Sequence, residues 1–564
     1  MGEAGGSVQR RRRWSPAAGQ AGDTPPSARK IVAWVTTLVA CLLVWVALTA
    51  PDPINRQALT ALVRIPLEGL LVVAVLLVLP RLVRAWVAVA VGVLVALLSV
   101  VKILDTAFFA ALGRPFNPVS DASYFGPAVA VLEDSIGRPG AVLSAVAAAV
   151  LGFVLLVLMP LSLLRITRAV HRHRRAAVRA VAALVVAWTL CALAGVQVAP
   201  SRPVASTDTV RLASDRVGEI GASLADRRAY ARAAAVDPLR DTPGNELLTA
   251  LRGKDVLLAF VESYGRVAVQ DSPVAPRVNA LLDDGTKRLQ AAGFSARSAF
   301  LTSPTFGGLS WLAHGTLQSG LWIDSQGRYD DLLESDRFTL AEAFSCAGWR
   351  TVADVPSNER DWPEGKAFYH YDQIYDSRNV GYAGPAFSYS QVPDQYVMAH
   401  FNRVELARPN RPPVMAEIDL SSSHGPWAPL PHMIGWDEIG DGSVYDEMAA
   451  QGDTPDALFK DVDKVRAAYG ESIEYSLTTL ISFVETYGNP NLVLVLVGDH
   501  QPATVVSGEN ASRDVPITLI SHDKAVINRI TSWGWEPGMR PSPAAPVWRM
   551  DDFRDRFLTA FGPG

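Results

Sequence analysis

Cysteine is scarce in this chain, with only 3 in 564 residues. Cys41 and Cys191 lie within apolar segments, and Cys346 stands alone in the more polar remainder. No disulfide can therefore form within that remainder, whose fold must depend on an apolar core and on any metal that it binds.

A strong charge of one sign is also missing, because 52 basic and 56 acidic residues give a net charge of -4 at pH 7. A protein that binds nucleic acid is expected to carry a basic excess. The composition therefore predicts no nucleic-acid partner.

Long apolar runs are present, although they are confined to the first 200 residues. A helix needs about 20 apolar residues to cross the hydrocarbon core of a membrane. Five segments qualify, at 32–50, 58–80, 85–104, 140–163 and 180–199. We therefore predict an N-terminal five-helix transmembrane domain at 32–199, with a basic cytoplasmic segment at 1–31. The first run is too long, and too closely followed by others, for a cleaved signal peptide.

The basic residues predict the orientation of these spans. Arginines cluster before the first span, between the second and third, and between the fourth and fifth. The other two loops carry only Arg56, Arg114 and Arg138. Because basic loops remain in the cytoplasm, an odd number of spans places the rest of the chain outside the cell. This predicts a multi-pass protein of the cell membrane, with a helical linker at 200–250 and an extracellular domain at 251–564.

Four charged residues lie toward the outer ends of two predicted spans. Arg64 and Glu68 are four residues apart and would share one helix face, and Lys102 and Asp105 end the third span. One interpretation is two ion pairs that reach the membrane interface. The other is a site that holds a lipid headgroup.

The extracellular part has the pattern of an α/β domain. Short, wholly apolar runs at 256–261, 414–418 and 492–497 predict strands buried on both faces. Helical patterns at 277–292, 339–347 and 463–486 lie between them or follow them. We therefore predict a mostly parallel central sheet. The polar residues that follow each strand should meet at one edge, where open α/β sheets bind ligands.

Those polar residues suggest a metal site with a nucleophile. Glu262 follows the first strand, the pair Asp499 and His500 follows the third, and Ser310 follows two glycines before a predicted helix. Each alone has an ordinary explanation, such as a turn or a helix cap. Together they suit Mn²⁺, Zn²⁺ or Mg²⁺, with Ser310 as nucleophile and further ligand. Such a site would act on a phosphate or sulfate ester.

These residues resemble the alkaline phosphatase/sulfatase superfamily, most closely its membrane-anchored lipoteichoic acid synthase and phosphoglycerol transferase branch. Glu262 in the segment 260–263 resembles the first metal ligand of that branch, and Asp499 with His500 resembles its Asp-His pair. Ser310 stands ten residues before Gly320, at the position of the family nucleophile. Sulfatases have a cysteine there and lipoteichoic acid synthases a threonine, so serine departs from both.

The resemblance implies a phosphotransferase that holds one divalent metal ion, Mn²⁺ before Mg²⁺ or Zn²⁺, and forms a covalent Ser310 intermediate. It implies a membrane phospholipid as donor and a cell-envelope glycan or glycolipid as acceptor. His424, in a Ser-His-Gly-Pro-Trp sequence, is similar to the substrate-side histidine of the branch. More loosely, Asn358, Arg360 and Trp362 resemble residues that contact the headgroup; their ordinary alternative is a surface loop with a packed tryptophan.

Three alternatives remain open from the sequence. One is a two-metal phosphodiesterase or phosphatase, in which Asp419 and His522 would contribute to a second metal site beside His424. Another is a sulfuric-ester hydrolase of the same superfamily. The last is a membrane sensor that has kept a catalytic fold without activity. Counting bound metal ions separates the first alternative from a one-metal transferase.

Overall fold

The computed structural model describes Gly2 and residues 26–51, 58–112, 114–121, 124–199 and 202–563. The N-terminal arginines and Arg56, on which part of the predicted orientation depends, lie outside these residues. The chain divides into two compact units, one of 1–51, 56–100 and 150–212, the other of 52–55, 101–149 and 213–564. Residues 101–149, which include part of the predicted transmembrane domain, belong to the larger unit.

The N-terminal region is helical. Its helices are α1 Pro26–Thr49, α2 Ala58–Ala61, α3 Leu67–Val78, α4 Arg81–Leu112, α5 Phe125–Arg172 and α6 Arg174–Leu193. Non-helical backbone at Gly137 kinks α5. Within the described residues, four helical stretches are long and apolar enough to cross a membrane: Lys30–Thr49, Arg81–Phe109, Gly137–Arg172 and Arg174–Leu193.

The second predicted span is not a full-length helix, so the five-helix prediction is not confirmed. Helix α3 has 12 residues, which gives a length of about 18 Å, against a hydrocarbon core of about 30 Å. The strand β1, Ile65–Pro66, precedes it and pairs in parallel with Ala205–Ser206. Pro66 has extended backbone and no amide hydrogen to donate. Helix α3 therefore begins only after this proline.

The charges near this break bind backbone and side chains of the segment 203–210. Arg64 lies before α3, where it donates a 2.9 Å hydrogen bond to the carbonyl oxygen of Pro203 and forms an ion pair with Asp208. Glu68 accepts a 3.0 Å hydrogen bond from the amide of Val210. Their predicted place on one helix face is therefore wrong, because the extended residues at 65–66 separate them.

In the larger unit, Asp105 is buried and does not reach toward an interface. It accepts hydrogen bonds from Arg216 at 2.6 Å and from the amide of Phe116 at 2.8 Å. Arg216 belongs to helix α7, Asp208–Ala234, which occupies much of the predicted helical linker. The carboxylate thus fixes the linker helix to the end of α4 within this unit.

The larger unit is an α/β domain built on one mixed sheet of nine strands. The strands are β5 Asp255–Val261, β6 Ser295–Thr302, β7 Arg350–Val355, β8 Gln373–Asp376, β9 Val414–Leu420, β10 Leu492–Gly498, β11 Asp514–Ser521, β12 Glu536–Pro537 and β13 Val547–Arg549. Three short strands belong to the smaller unit: β2 Gln197–Ala199, β3 Arg202–Pro203 and β4 Ala205–Ser206. The order in the sheet is β12-β6-β11-β10-β5-β9-β7-β8, with β13 beside β6.

The helices of the domain follow in chain order. They are α8 Ala275–Ala291, α9 Ser310–Ser319, α10 Gln326–Leu333, α11 Leu340–Cys346, α12 Pro363–Ala367, α13 Asp394–Phe401, α14 Asp446–Gln451, α15 Pro455–Leu458, α16 Val462–Tyr487, α17 Thr504–Ser507, α18 Lys524–Arg529 and α19 Asp552–Phe561. Alternate residues of β5 pack on opposite layers, with Leu257 against α8 and α16 and Leu258 against α9 and α11. This two-sided burial explains the unbroken apolar run that predicted the strand.

Strand directions bring the predicted residues to one edge. Strands β10, β5, β9, β7 and β8 are mutually parallel. Strand β11 is antiparallel to β10, and β6 is antiparallel to β11, so β6 runs with the parallel group. The sheet is mixed, and the predicted mostly parallel arrangement is not confirmed. The predicted meeting of the ends of β5, β9 and β10 is confirmed.

Candidate active site

Ser310 is placed by an unusual turn that leads into α9. The backbone of Gly307, Gly308 and Leu309 has φ values of 72°, 152° and 69°, a region that glycine adopts readily and a branched side chain does not. The turn ends at the first residue of α9, so the Ser310 hydroxyl lies at a helix N-terminus. Its Oγ donates to Glu262 Oε2 at 2.8 Å and lies 3.2 Å from His500 Nε2.

Glu262 is fixed where β5 ends. Its backbone amide bonds to the carbonyl oxygen of Leu420 at 3.1 Å, and its Oε1 accepts from Ser263 Oγ at 2.9 Å. Ser263 turns into the left-handed region, with φ of 56°. This turn points its amide at Asp499, whose Oδ1 accepts it at 2.8 Å. The Asp499 carboxylate thus links the end of β5 to the end of β10.

Oδ2 of Asp499 and Nε2 of His500 lie 3.6 Å apart, beside Glu262 and Ser310. Oδ1 of Asp499 also accepts the amide of His500 at 2.7 Å, whereas the buried Oδ2 has no hydrogen-bond partner within the described structure. Nδ1 of His500 lies 2.8 Å from the carbonyl oxygen of Gln501, so Nδ1 carries a proton, and Nε2 is the ring nitrogen that could bind a metal ion after losing its own proton.

The spacing of these atoms fits a divalent cation. His500 Nε2 lies 3.3 Å from Glu262 Oε1 and 3.6 Å from Asp499 Oδ2. Two ligands about 2.0–2.1 Å from a tetrahedral Zn²⁺ would lie about 3.3 Å apart. Two carboxylates, an imidazole and the Ser310 hydroxyl are also the donors that Mn²⁺ and Zn²⁺ accept. The unpartnered oxygen of Asp499 is the clearest sign that a cation belongs there.

Electrostatics agree with this assignment. Burial favours a neutral Glu262, but His500 and His424 outweigh it, and the pKa of Glu262 lies well below its ordinary value. Burial and then repulsion from Glu262 raise the pKa of Asp499 to about 7. Burial opposes charge on His500, yet the two carboxylates raise its pKa to about 9. Anionic oxygens held this close would be stabilised by a cation, which binds the deprotonated ligands.

The loop that carries His424 is held by a buried carboxylate that sequence reasoning missed. Asp394 accepts from the amide of Ser422 at 2.9 Å and from Ser476 Oγ at 2.5 Å, and its own amide donates to Ser422 Oγ at 3.0 Å. Ser423 Oγ donates to the carbonyl oxygen of Glu262 at 2.6 Å. The run of serines therefore positions the loop against the metal ligands.

His424 itself stacks on Tyr389, with ring centroids 3.6 Å apart and planes at 17°. Burial lowers its pKa, so the imidazole is neutral at pH 7. His424 is near enough to Glu262 to influence its titration. The structure thus brings His424 to the same edge as the metal ligands, as predicted.

Asn358, Arg360 and Trp362 lie in the loop that follows β7. Asn358 bonds through its backbone amide to the carbonyl oxygen of Val355 at 3.0 Å, and the Arg360 side chain is exposed. Trp362 packs 5.5 Å from Tyr369 and 6.1 Å from Tyr371 between ring centroids. Since β7 is next to β9 in the sheet, this loop is on the site edge. A headgroup-binding role for the three residues stays a prediction.

The predicted contribution of His522 to a second metal site is wrong. His522 follows β11, which is antiparallel to β10, so it emerges at the edge opposite Asp499. Ser521 pairs with Val493 near the start of β10, whereas Asp419 is level with its end, where Val497 pairs with Phe260. His522 packs instead against the Phe294 ring, 5.4 Å away.

Two other residues accompany Asp419. His314 Nδ1 lies 3.2 Å from Glu417 Oε1 and 3.5 Å from Asp419 Oδ1. Both had sequence signals that were missed. His314 is four residues after Ser310 and so one helical turn away, and Glu417 interrupts an apolar strand two residues before Asp419, on the same face.

Known proteins offer limited comparison. No family model matches the chain, and no curated protein matches it. Similar solved structures include the lipoteichoic acid synthase LtaP from Listeria monocytogenes, at 13% identity over 60% of this chain and 78% of that chain, with a TM-score of 0.37. The C-terminal periplasmic domain of EptC from Escherichia coli is 15% identical over 57% of this chain and 84% of that one, with a TM-score of 0.36.

A third similar structure is the Streptococcus pyogenes phosphoglycerol transferase GacH in complex with sn-glycerol-1-phosphate. It is 13% identical over 59% of this chain and 91% of that chain, with a TM-score of 0.33. The chain is thus similar to these three solved structures over 57–60% of its length. Identities and TM-scores this low assign it no activity.

Proposed function

We propose that the protein is a membrane-anchored, metal-dependent phosphotransferase that acts on phosphate-ester headgroups through a covalent Ser310 intermediate. The observation that carries the proposal is the placement of Ser310 Oγ, 2.8 Å from Glu262 and 3.2 Å from His500, beside the unpartnered oxygen of Asp499. A hydroxyl at a helix N-terminus, next to a cation site, suits attack on a phosphate.

Glu262, Asp499, His500 and Ser310 would hold the cation, with Mn²⁺ preferred and Zn²⁺ or Mg²⁺ as alternatives. When bound, the cation supplies Lewis-acid stabilisation of charge on the phosphoryl oxygens and favours the Ser310 alkoxide. The Ser310 hydroxyl already donates to Glu262 Oε2, so its proton has an acceptor as Oγ attacks. Ser310 is the first residue of α9, and a helix N-terminus favours an anionic substrate.

The first step forms the bond between Ser310 Oγ and phosphorus and breaks the bond between phosphorus and the leaving alcohol. The proton that Ser310 gives to Glu262 passes to the departing alcohol oxygen. In the second step a glycan or glycolipid hydroxyl, or water, attacks the phosphorus, the bond between phosphorus and Ser310 Oγ breaks, and the proton of the attacking group is passed on to Ser310. His424 is neutral at pH 7 because burial lowers its pKa, so it can accept the proton of that attacking hydroxyl. Asn358, Arg360 and Trp362 are proposed to border the headgroup.

The donor is proposed to be a membrane phospholipid, and the test uses candidates directly. The full chain in detergent would be incubated with Mn²⁺ and either phosphatidylglycerol or phosphatidylethanolamine, then digested for mass spectrometry. We expect the headgroup phosphate on the peptide that contains Ser310, together with free diacylglycerol. Diacylglycerol release without any adduct on that peptide, and equal in Ser310→Ala, would overturn the covalent mechanism.

The catalytic domain is proposed to lie outside the cell. In the smaller unit, Thr209 Oγ1 contacts the carbonyl oxygen of Leu48 at 3.1 Å, at the end of α1. Arg165 of α5 donates a 2.7 Å hydrogen bond to the carbonyl oxygen of Ala33, near the start of α1. Near the same end of α5, His171 lies 2.9 Å from the carbonyl oxygen of Leu76, which is at the end of α3. The end of α3 and the start of α1 therefore lie on the same side. The short α3 therefore runs in the direction that five alternating passes require.

The thiol of Cys346 provides the test of orientation, because the other exposed cysteine, Cys41, lies in the apolar helix α1. Cys346 is exposed in the catalytic domain, whereas Cys41 and Cys191 lie in apolar helices. A maleimide that cannot cross membranes should label the protein in intact cells, and Cys346→Ser should remove most of that labelling. Labelling of Cys346 that requires permeabilised cells would place the domain in the cytoplasm.

A further inference from the structure

A second group of metal-type ligands lies behind the nucleophile. It consists of His314 on α9 and Glu417 with Asp419 on β9, and its donor atoms all lie within 4.8 Å of one another. Nδ1 of His314 is 3.2 Å from Glu417 Oε1 and 3.5 Å from Asp419 Oδ1. These separations match those of the donors around Glu262 and the spacing of ligands on a tetrahedral ion.

Hydrogen bonding alone leaves this group incomplete. Nδ1 of His314 can carry one proton, which serves one carboxylate, and the buried Oδ1 of Asp419 has no hydrogen-bond partner in the described part of the chain. Glu417 and Asp419 also lie on the same face of one strand, so their charges repel each other at short range. One imidazolium would offset only one of the two negative charges, whereas a divalent cation offsets both.

The surroundings orient the ligands as a metal site requires. The other oxygen of Glu417 accepts from the Tyr371 hydroxyl at 2.7 Å and from Gln318, which leaves Oε1 directed at His314. The Phe260 ring stacks on His314, with centroids 3.8 Å apart and planes at 16°. Hydrogen bonds such as those to Glu417 fix the orientation of carboxylate ligands in known metal centres. The Asp419 side chain is 27% exposed, so an ion can reach the group from solvent.

We propose that His314, Glu417 and Asp419 bind a second divalent ion, Zn²⁺ or Mn²⁺, that fastens the nucleophile helix α9 to strand β9. His314 is one helical turn after Ser310, so an ion on its Nδ1 would fix the depth of that helix against the sheet. This second site shares no ligand residue with the first site around Glu262. The role is structural and does not depend on the proposed phosphotransfer.

Metal content of the full chain tests this directly. Protein purified in detergent, stripped with a chelator and refilled with Zn²⁺ or Mn²⁺ alone, should hold two ions per chain by elemental analysis. Asp419→Asn and Glu262→Gln should each hold one, and the double variant none. Asp376→Asn is the control, because Asp376 is a buried carboxylate on strand β8, which β7 separates from β9, and it is paired with Arg378. It should still hold two.

Thermal melting provides a readout of the proposed fastening. In Glu262→Gln, which lacks the first site, adding Zn²⁺ should raise the melting temperature, because an ion that binds only the folded state stabilises it. The rise should vanish in Glu262→Gln combined with Asp419→Asn. A wild-type chain that saturates at one ion, lost in Glu262→Gln and kept in Asp419→Asn, would overturn the second site even if phosphotransfer is confirmed.

Discussion

Ser310→Ala is expected to abolish turnover, by a factor on the order of 10⁴ or more, while the domain stays folded. The variant loses the attacking oxygen, and no other described hydroxyl in the turn has the same contacts with Glu262 and His500. The change removes only a small, half-exposed group at a helix start, so a large loss of stability is not expected. Diacylglycerol release from each donor lipid, with circular dichroism as the check on folding, measures both parts.

Two comparisons make that result specific. Thr302→Ala removes a hydroxyl that donates to Asp514 at 2.9 Å, away from the metal ligands, and should keep activity. Ser310→Thr keeps a hydroxyl at the same place and should retain part of it. If Ser310→Ala were active and Thr305→Ala were inactive, the nucleophile would belong to the turn and not to the start of α9.

The part of the site that follows from the sequence is the part encoded at strand ends. Wholly apolar runs are typical of strands buried on both faces, and β5, β9 and β10 lie within a residue or two of the predicted bounds. Polar residues directly after parallel strands must share an edge. The amino-acid sequence alone therefore suffices to group Glu262, Asp499 and His424.

Strand direction is the part that such runs do not encode. All residues of 514–521 except the first are buried, as in the adjacent β10, yet β11 runs antiparallel, and this sends His522 to the wrong edge for the site. Burial on both faces leaves the same pattern in either direction. The grouping of His314 with Glu417 was likewise hidden, because it depends on how α9 packs across β9 and not on spacing along the chain.

The interrupted second span has a local cause that the hydropathy pattern conceals. Residues 58–80 average as one apolar segment, but Pro66 stands within it and its extended backbone forms a two-residue strand. The mean hydropathy of a segment predicts where the chain can enter a membrane. It does not predict whether the helix is continuous, which the proline and the pairing of Ile65 with Ala205 decide.

Glu262→Gln is expected to lower activity at least about 100-fold and to weaken metal binding at the first site by a similar factor, because losing a ligand costs more than losing a residue that merely orients one. The amide is a poorer ligand for a divalent ion than the carboxylate. The substitution also removes the anionic group that accepts from the Ser310 hydroxyl, whose Oγ lies 2.8 Å from Glu262 Oε2. Activity measured against Mn²⁺ concentration separates binding from chemistry.

Glu262→Asp is the matched variant, since it keeps the charge and shortens the side chain by one methylene. Its activity should recover at raised Mn²⁺, because a carboxylate can still reach the ion, whereas Glu262→Gln should remain inactive at the same concentrations. Chelation of the wild type should abolish activity, and returning Mn²⁺ should restore it. Full activity in Glu262→Gln with an unchanged Mn²⁺ dependence would show that Glu262 does not hold the cation at this edge. The assignment of Ser310 as the nucleophile, which depends on its contact with Glu262, would then fail as well.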